Sequence, residues 1–170
     1  SYYIGFKVNS GKYKIMGLAP YGVPKYVDLI KNNLIDIKDD GSFHLDMPYF
    51  DYCSGPRMTS PKFHKLFGGE PISPESTITQ RETDLAASIQ SITNEIVLKL
   101  ARGIVLETGE RYLCLAGGVA LNCVSNGLLV KEKIFETIWI QPVSGDAGGA
   151  LGASLTIWYD RYSNNREPKT

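Results

Sequence analysis

The last third of the chain alternates between strand and helix patterns, and this alternation restricts the fold more than any other feature. The sequence predicts a strand at 112–115, a helix at 119–133, a second strand at 137–141 and a final helix at 146–162. Such alternation indicates an α/β domain, with a parallel or mixed sheet and helices on its faces. Ligands bind beyond the carboxyl ends of the strands in these sheets, and a glycine-rich turn follows both strands here.

A long amphipathic helix is predicted just before this region. Thr79 and Glu82 fit a capping box, and apolar residues recur every three or four positions as far as Thr108. The apolar stripe is wider than one packed face needs, so we expect this helix to be central and covered on two sides.

The first 78 residues are less regular and rich in turn residues. Residues 46–78 are interpreted as a long loop insertion around one short helix at 61–67. The other predicted elements are a strand at 3–8, helical turns over 12–22, a helix over 24–34, and a β-hairpin that joins 35–37 to 43–45 through an Asp-Gly turn.

Composition excludes several classes of protein. Eighteen basic residues balance eighteen acidic ones, which argues against a nucleic-acid partner. No apolar run approaches the roughly 18 residues of a membrane span, and no secretion signal is recognisable at the N-terminus. The three cysteines form no Cys-x-x-Cys pair, and two of them lie in apolar segments. A free cysteine in such a segment behaves as a small hydrophobic residue, and we therefore expect reduced thiols in a cytoplasmic protein.

The turn after the first predicted strand contains Gly117 and Gly118 and leads into a helix. Glycines let a ligand approach the backbone, and a helix N-terminus offers unpaired N–H groups to an anion such as phosphate. Asn122, one turn later, has both a donor and an acceptor for a sugar or a base. A tight turn without a ligand explains the same glycines, and spacing alone does not separate the two interpretations.

The turn before the last helix reads SGDAGGALGAS, at 144–154. Glycine costs up to about 1 kcal/mol at a helix-interior position, so the three glycines at 148, 149 and 152 indicate close approach to a ligand or a neighbouring element. Asp146 is either a ligand for a hard metal or the N-cap of the helix. In the first third of the chain, Lys14 and Gly22 bracket a third motif, in which Lys14 is either a contact for an anion or a solvated side chain.

Four motifs in this order resemble the carbamoyltransferases typified by nodulation protein U and by enzymes of antibiotic tailoring. The motifs are KIMGLAPYG at 14–22, TxxxxDLAASIQ at 79–90, LCLAGGVALN at 113–122 and QPVSGDAGGALGAS at 141–154. The resemblance covers nearly the whole chain. It implies a lobe of the actin, hexokinase and heat-shock-chaperone fold, which is ribonuclease H-like, with a mixed sheet and helices on both faces.

The same resemblance implies a reaction. In the family, a YrdC-like domain makes carbamoyl-adenylate from carbamoyl phosphate and ATP, and the larger domain transfers the carbamoyl group to an acceptor hydroxyl. A divalent metal, typically iron, is held by two histidines and one aspartate, which Asp146 matches. Asn122, with Gly117 and Gly118 beside it, matches the nucleotide contacts; Gly22 matches a glycine near the ribose, and Lys14 lies in the same motif.

Departures from the family pattern limit what this chain is expected to do alone. The paired metal histidines and the YrdC-like domain have no match, Lys12 stands where the family often has Glu, and Ile72 stands where it often has Arg. We expect one lobe at 1–162, the start of a linker at 163–170, a chain cut from a longer protein, and no activity from this part by itself. A sugar-kinase-like phosphotransferase and a non-catalytic partner-binding lobe remain as alternatives.

Overall fold

The computed structural model describes residues 1–8, 11–74 and 76–165. These residues form two compact units, here called unit 1, from Ser1 to Gly109, and unit 2, which begins at Glu110. The linker expected at 163–170 lies largely outside the described residues. In the described part of the chain, no helix has the length and apolar character needed to cross a lipid bilayer.

Unit 1 is mainly helical, with one antiparallel hairpin. Its helices and strands are α1 (Lys12–Leu18), α2 (Val27–Asn33), β1 (Ile35–Ile37), β2 (Phe43–Leu45), α3 (Pro61–Leu66) and α4 (Gln80–Thr108). The predicted hairpin is confirmed, since Ile35 pairs with Leu45 and Ile37 with Phe43. The short helix within the 46–78 loop is confirmed as well. The capping box of α4 is present, and the Glu82 carboxylate accepts from the Thr79 N–H at 3.0 Å.

The core of unit 1 lies on the first half of α4. Leu85 and Ile92 of this helix pack with buried residues of the N-terminal segment, α2, β1 and the 46–78 loop, namely Tyr3, Ile4, Ile30, Leu34, Ile35, Tyr49 and Phe67. The second half of α4 does not fit the expectation of a helix covered on both sides. Ile104 is 41% exposed and Leu106 is 88% exposed, so the wide apolar stripe continues past the part of the helix that other described residues cover.

The strand expected at 3–8 is wrong. Residues Tyr2–Ile4 form a 3-10 turn instead, and Gly5 ends it in the left-handed region at φ 75°. The consecutive residues Tyr3 and Ile4 are both buried, whereas the side chains of a strand point alternately to opposite faces. A compact turn buries both side chains in the same core.

Unit 2 contains a short parallel sheet and two helices. Strands β3 (Tyr112–Leu115) and β4 (Thr137–Ile140) pair in parallel, followed respectively by α5 (Cys123–Glu132) and α6 (Gly148–Thr156). The parallel pairing is confirmed. The expected single mixed sheet is not confirmed, because among the described residues the parallel pair and the antiparallel hairpin are separate two-stranded sheets.

Both helices of unit 2 begin later than the sequence predicts. The helix expected at 119–133 is split into a 3-10 turn, Gly118–Leu121, and α5, with Asn122 between them. The helix expected at 146–162 starts as α6 at Gly148 and ends in a π-helical turn, Ile157–Arg161. All three cysteines are free, and all three are exposed although two of them lie in apolar sequence segments. Cys114 lies on the exposed face of β3, and Cys123 is the first residue of α5.

The loop that follows α1 is attached to α4 by one buried carboxylate. Asp84 forms an ion pair with Lys25 at 2.6 Å and accepts hydrogen bonds from the Val23 N–H and the Gln80 side-chain amide, each at 2.8 Å. One turn along α4, the Ser88 hydroxyl accepts from the Tyr26 N–H at 3.0 Å. Two polar residues of the DLAAS motif therefore fix the course of the chain from 23 to 26.

We predict that Asp84 makes the stability of unit 1 dependent on acid pH. The Lys25 ammonium, the Val23 N–H and the Gln80 amide favour the carboxylate and lower the pKa of Asp84 from 3.8 to about 2. A lowered pKa in the folded state adds stability that is complete above the unfolded-state pKa and is lost as pH falls toward the folded-state pKa. The free energy of unfolding should therefore fall between about pH 4 and pH 2.

Urea unfolding followed by far-ultraviolet circular dichroism measures this effect across pH. The Asp84→Asn variant should lose less stability on acidification than the parent chain does. Asp39→Asn, in the exposed hairpin turn, is the matched control and should keep the parent profile. Parallel pH profiles for the parent and Asp84→Asn would contradict the assignment.

Candidate functional site

The first glycine-rich turn of unit 2 follows β3. Gly117 has φ 100° and ψ 166°, a conformation that is accessible essentially to glycine alone. The 3-10 turn Gly118–Leu121 begins immediately after it. The first N–H groups of such a turn have no partner within it, so this corner presents backbone donors at the carboxyl end of a parallel strand.

The second glycine-rich turn lies against the first one. The N–H of Gly117 donates a hydrogen bond to the carbonyl of Ser144 at 2.8 Å. The two turns are in van der Waals contact too, because a Cβ added to Gly145 would lie 3.7 Å from Leu121 Cδ1. The turns that follow β3 and β4 are thus joined by this backbone bond, and they form a single corner of unit 2.

Ser144 is a residue of this corner that the sequence analysis missed. Its side chain is only 8% exposed, and its hydroxyl oxygen has no hydrogen-bond partner among the described residues. Buried polar groups are nearly always paired, so an unpaired hydroxyl between two glycine turns points to a ligand or a water at this place. The one sequence signal for it is a serine next to the Gly-Asp pair of the motif.

Asp146 is exposed and lies near the end of the second turn, two residues before α6. It does not cap α6: the cap position is Ala147, and no side chain accepts a hydrogen bond there. Of the two interpretations of this residue, the helix cap is therefore wrong. The glycine at 148 has a structural reason, because an added Cβ would lie 2.5 Å from the Val143 carbonyl oxygen. Gly149 and Gly152 have no described atom within 4 Å of an added Cβ.

Asn122 has a local role that the sequence analysis did not assign. Its side-chain oxygen accepts from the Ser125 N–H at 3.1 Å and caps α5. Asn126, in the first turn of α5, donates to the Ala120 carbonyl at 2.7 Å and ties the 3-10 turn to the helix. Asparagine is a strong N-cap residue, so its presence at 122 was a signal for a helix start at that point. The cap orients the 3-10 turn that carries the glycine corner.

The remaining two candidate residues lie at different places in unit 1. Lys14 is exposed on α1, with its Nζ 5.7 Å from the centroid of the Phe6 ring. Gly22 faces the backbone of α4 so closely that an added Cβ would lie 2.0 Å from the Thr83 carbonyl oxygen. Packing against α4 therefore already requires a glycine at position 22.

The described residues do not make a complete metal site. They contain no group of three or more His, Cys, Asp and Glu side chains arranged to hold an ion. Asp146 offers one exposed carboxylate at the glycine corner. One carboxylate is fewer than the three or four protein ligands that hold transition metals firmly, so the described residues do not by themselves make the metal site that the resemblance implies.

A glycine corner of this kind defines an α/β module suited to an anionic ligand, and comparison with known proteins identifies the family. The family model described as "Carbamoyltransferase N-terminus" matches residues 1–155. The chain belongs to this carbamoyltransferase family.

Three relatives show how much of a family member the chain spans. The protein sll1178 of Synechocystis sp. is 60% identical over 166 residues, which is 98% of this chain and 27% of that protein. Nodulation protein NolNO of Sinorhizobium fredii is 37% identical over 91% of this chain and 21% of its own length. Nodulation protein NolO of Bradyrhizobium diazoefficiens is 37% identical over 86% of this chain and 25% of its own length. The chain thus spans about a quarter of the relatives it matches.

We predict opposite effects of adding one methyl group at two neighbouring glycines of the MGLAPYG motif. Gly22→Ala forces the loop away from Thr83 and should lower the free energy of unfolding by about 1 to 3 kcal/mol. Gly17→Ala, in α1 with open space around it, should raise it by up to about 1 kcal/mol. Urea unfolding of both variants measures the difference. A Gly22→Ala variant as stable as the parent chain would show that the contact with Thr83 is not required.

Proposed function

We propose that this chain forms part of an O-carbamoyltransferase, which moves a carbamoyl group from carbamoyl-adenylate to an acceptor hydroxyl. Family membership supports the transfer of a carbamoyl group. The bond between the Gly117 N–H and the Ser144 carbonyl carries the rest of the proposal, because it joins the two glycine turns into one corner with backbone donors.

In this proposal the adenylate phosphate binds at the N–H groups that open the 3-10 turn at Gly118. Gly118 suits such a contact, since no described atom lies within 4 Å of the position where a side chain would begin. The buried Ser144 hydroxyl lies at the same corner and supplies a further donor. Fixed donors of this kind stabilise negative charge on the ligand without reorganisation during the reaction.

Asp146 is assigned to one coordination position of a divalent metal, iron by family resemblance, which would polarise the carbamoyl carbonyl when bound. Carbamoyl phosphate and ATP are the proposed substrates for making the adenylate, on a YrdC-like domain elsewhere in the full-length protein. The exposed position of Asp146 at the glycine corner supports its assignment. Family resemblance alone supports the metal and the YrdC-like domain.

A methyl group at Gly118 tests the proposed phosphate contact. In the intact protein, Gly118→Ala should lower carbamoyl-phosphate-dependent formation of carbamoyl product by about 10- to 100-fold, the loss expected for one or two hydrogen bonds to a charged group. Gly127→Ala in α5 adds the same methyl group in equally open space and should leave the rate unchanged. The assay measures labelled carbamoyl transfer from carbamoyl phosphate and ATP. Equal rates for the two variants would contradict phosphate binding at this turn.

A further inference from the structure

Unit 1 contains an open groove that the proposed function does not use. Lys14 is one of the residues that line it. The groove lies between the N-terminal segment, with Ile4 and Phe6, and the described residues of 70–74 and 76–78, and its volume is about 860 Å³. Small-molecule sites in proteins typically measure about 300 to 1,000 Å³, so the groove has room for a ligand of nucleotide size.

The charged side chains of the groove are mostly basic. Lys7, Lys14 and Arg57 line it, and Glu70 is the acidic residue among its described lining. Glu70 is directed at the buried His64, with its Oε2 2.8 Å from the histidine Nδ1. None of the three basic side chains forms an ion pair with a described partner. The described lining of the groove therefore has an excess of positive charge that a bound anion would balance.

One wall of the groove is held rigidly by Tyr3. The Tyr3 carbonyl accepts from the Ile72 N–H at 3.1 Å, and the Tyr3 hydroxyl donates to the Gly69 carbonyl at 2.7 Å. Gly5 permits the close contact of the two segments, because an added Cβ would lie 3.0 Å from Ile72 Cγ1. The wall is thus formed before any ligand arrives, which lowers the entropic cost of binding.

Backbone bonds also connect the two segments that carry the lysines of the groove. The Gly11 N–H donates to the Lys7 carbonyl at 2.8 Å, and the Lys14 N–H donates to the Gly11 carbonyl at 3.1 Å. Lys14 is further oriented by its position near the Phe6 ring. The two ammonium groups therefore come from segments that are connected through one buried glycine.

We infer that this groove binds a small molecule that bears a phosphate group. A guanidinium and two ammonium groups form a set that favours phosphate, and the hydroxyls of Ser73 and Ser76 on the opposite segment add neutral donors. The apolar side chains of Ile4, Phe6 and Ile72 provide a surface for the organic part of the ligand. The site is formed by unit 1 alone and does not depend on carbamoyl transfer.

Isothermal titration of the intact protein with ribose 5-phosphate tests the inference without requiring turnover. The double variant Lys14→Ala/Arg57→Ala should bind this probe at least about tenfold more weakly than the parent, because two charge-assisted contacts are lost. Lys65→Ala removes an exposed lysine outside the groove and should leave the affinity unchanged.

Four results would overturn the inference. The first is the absence of saturable binding, and the second is equal affinity for ribose and ribose 5-phosphate. The third is equal weakening by the double variant and by Lys65→Ala. Tighter binding of citrate than of ribose 5-phosphate would likewise contradict a phosphate site and assign the groove to carboxylates. Circular dichroism spectra of all the variants check that the exposed substitutions leave the fold intact.

Discussion

One backbone hydrogen bond, from the Gly117 N–H to the Ser144 carbonyl, holds together the proposed ligand site of unit 2. It joins the turns that follow two parallel strands, and it needs Gly117 in a conformation that other residues rarely adopt. The cap at Asn122 and the close approach of Gly148 to Val143 then fix where each helix begins. The result is a corner of backbone donors with a buried, unpaired Ser144 hydroxyl, and the proposed phosphate contact depends on that corner.

Unit 1 is organised by α4 in a comparable way. The first half of this helix carries the core, and its polar residues Asp84 and Ser88 hold the loop that contains Gly22. The family motifs MGLAPYG and DLAAS therefore belong to segments that pack against each other. Gly22 is explained by that packing, whereas Lys14, from the same motif, lies in the basic groove. Residues of one sequence motif thus serve different purposes.

Local patterns predicted the regular elements well, because the signals for them are short-range. The capping box at Thr79 and the hairpin around Gly41 follow from residues close in sequence. The parallel pairing of β3 with β4 fits the alternation of strand and helix patterns. The strand at 3–8 failed because burial of adjacent side chains by a tertiary core outweighed strand propensity. Asp146 was left open between cap and ligand, and only the structure shows that Ala147 occupies the cap position. The groove and the Ser144 hydroxyl required tertiary contacts that no local pattern encodes.

Amide chemical shifts of the nitrogen-15-labelled chain, recorded while AMP is added, test most directly whether the two glycine turns form one ligand site. The account predicts that the amides of Gly117 and Gly118 shift together with those of Gly148 and Gly149, with a single apparent Kd for all four. If only one turn responds, or if the two turns titrate with different Kd values, they do not face the same phosphate.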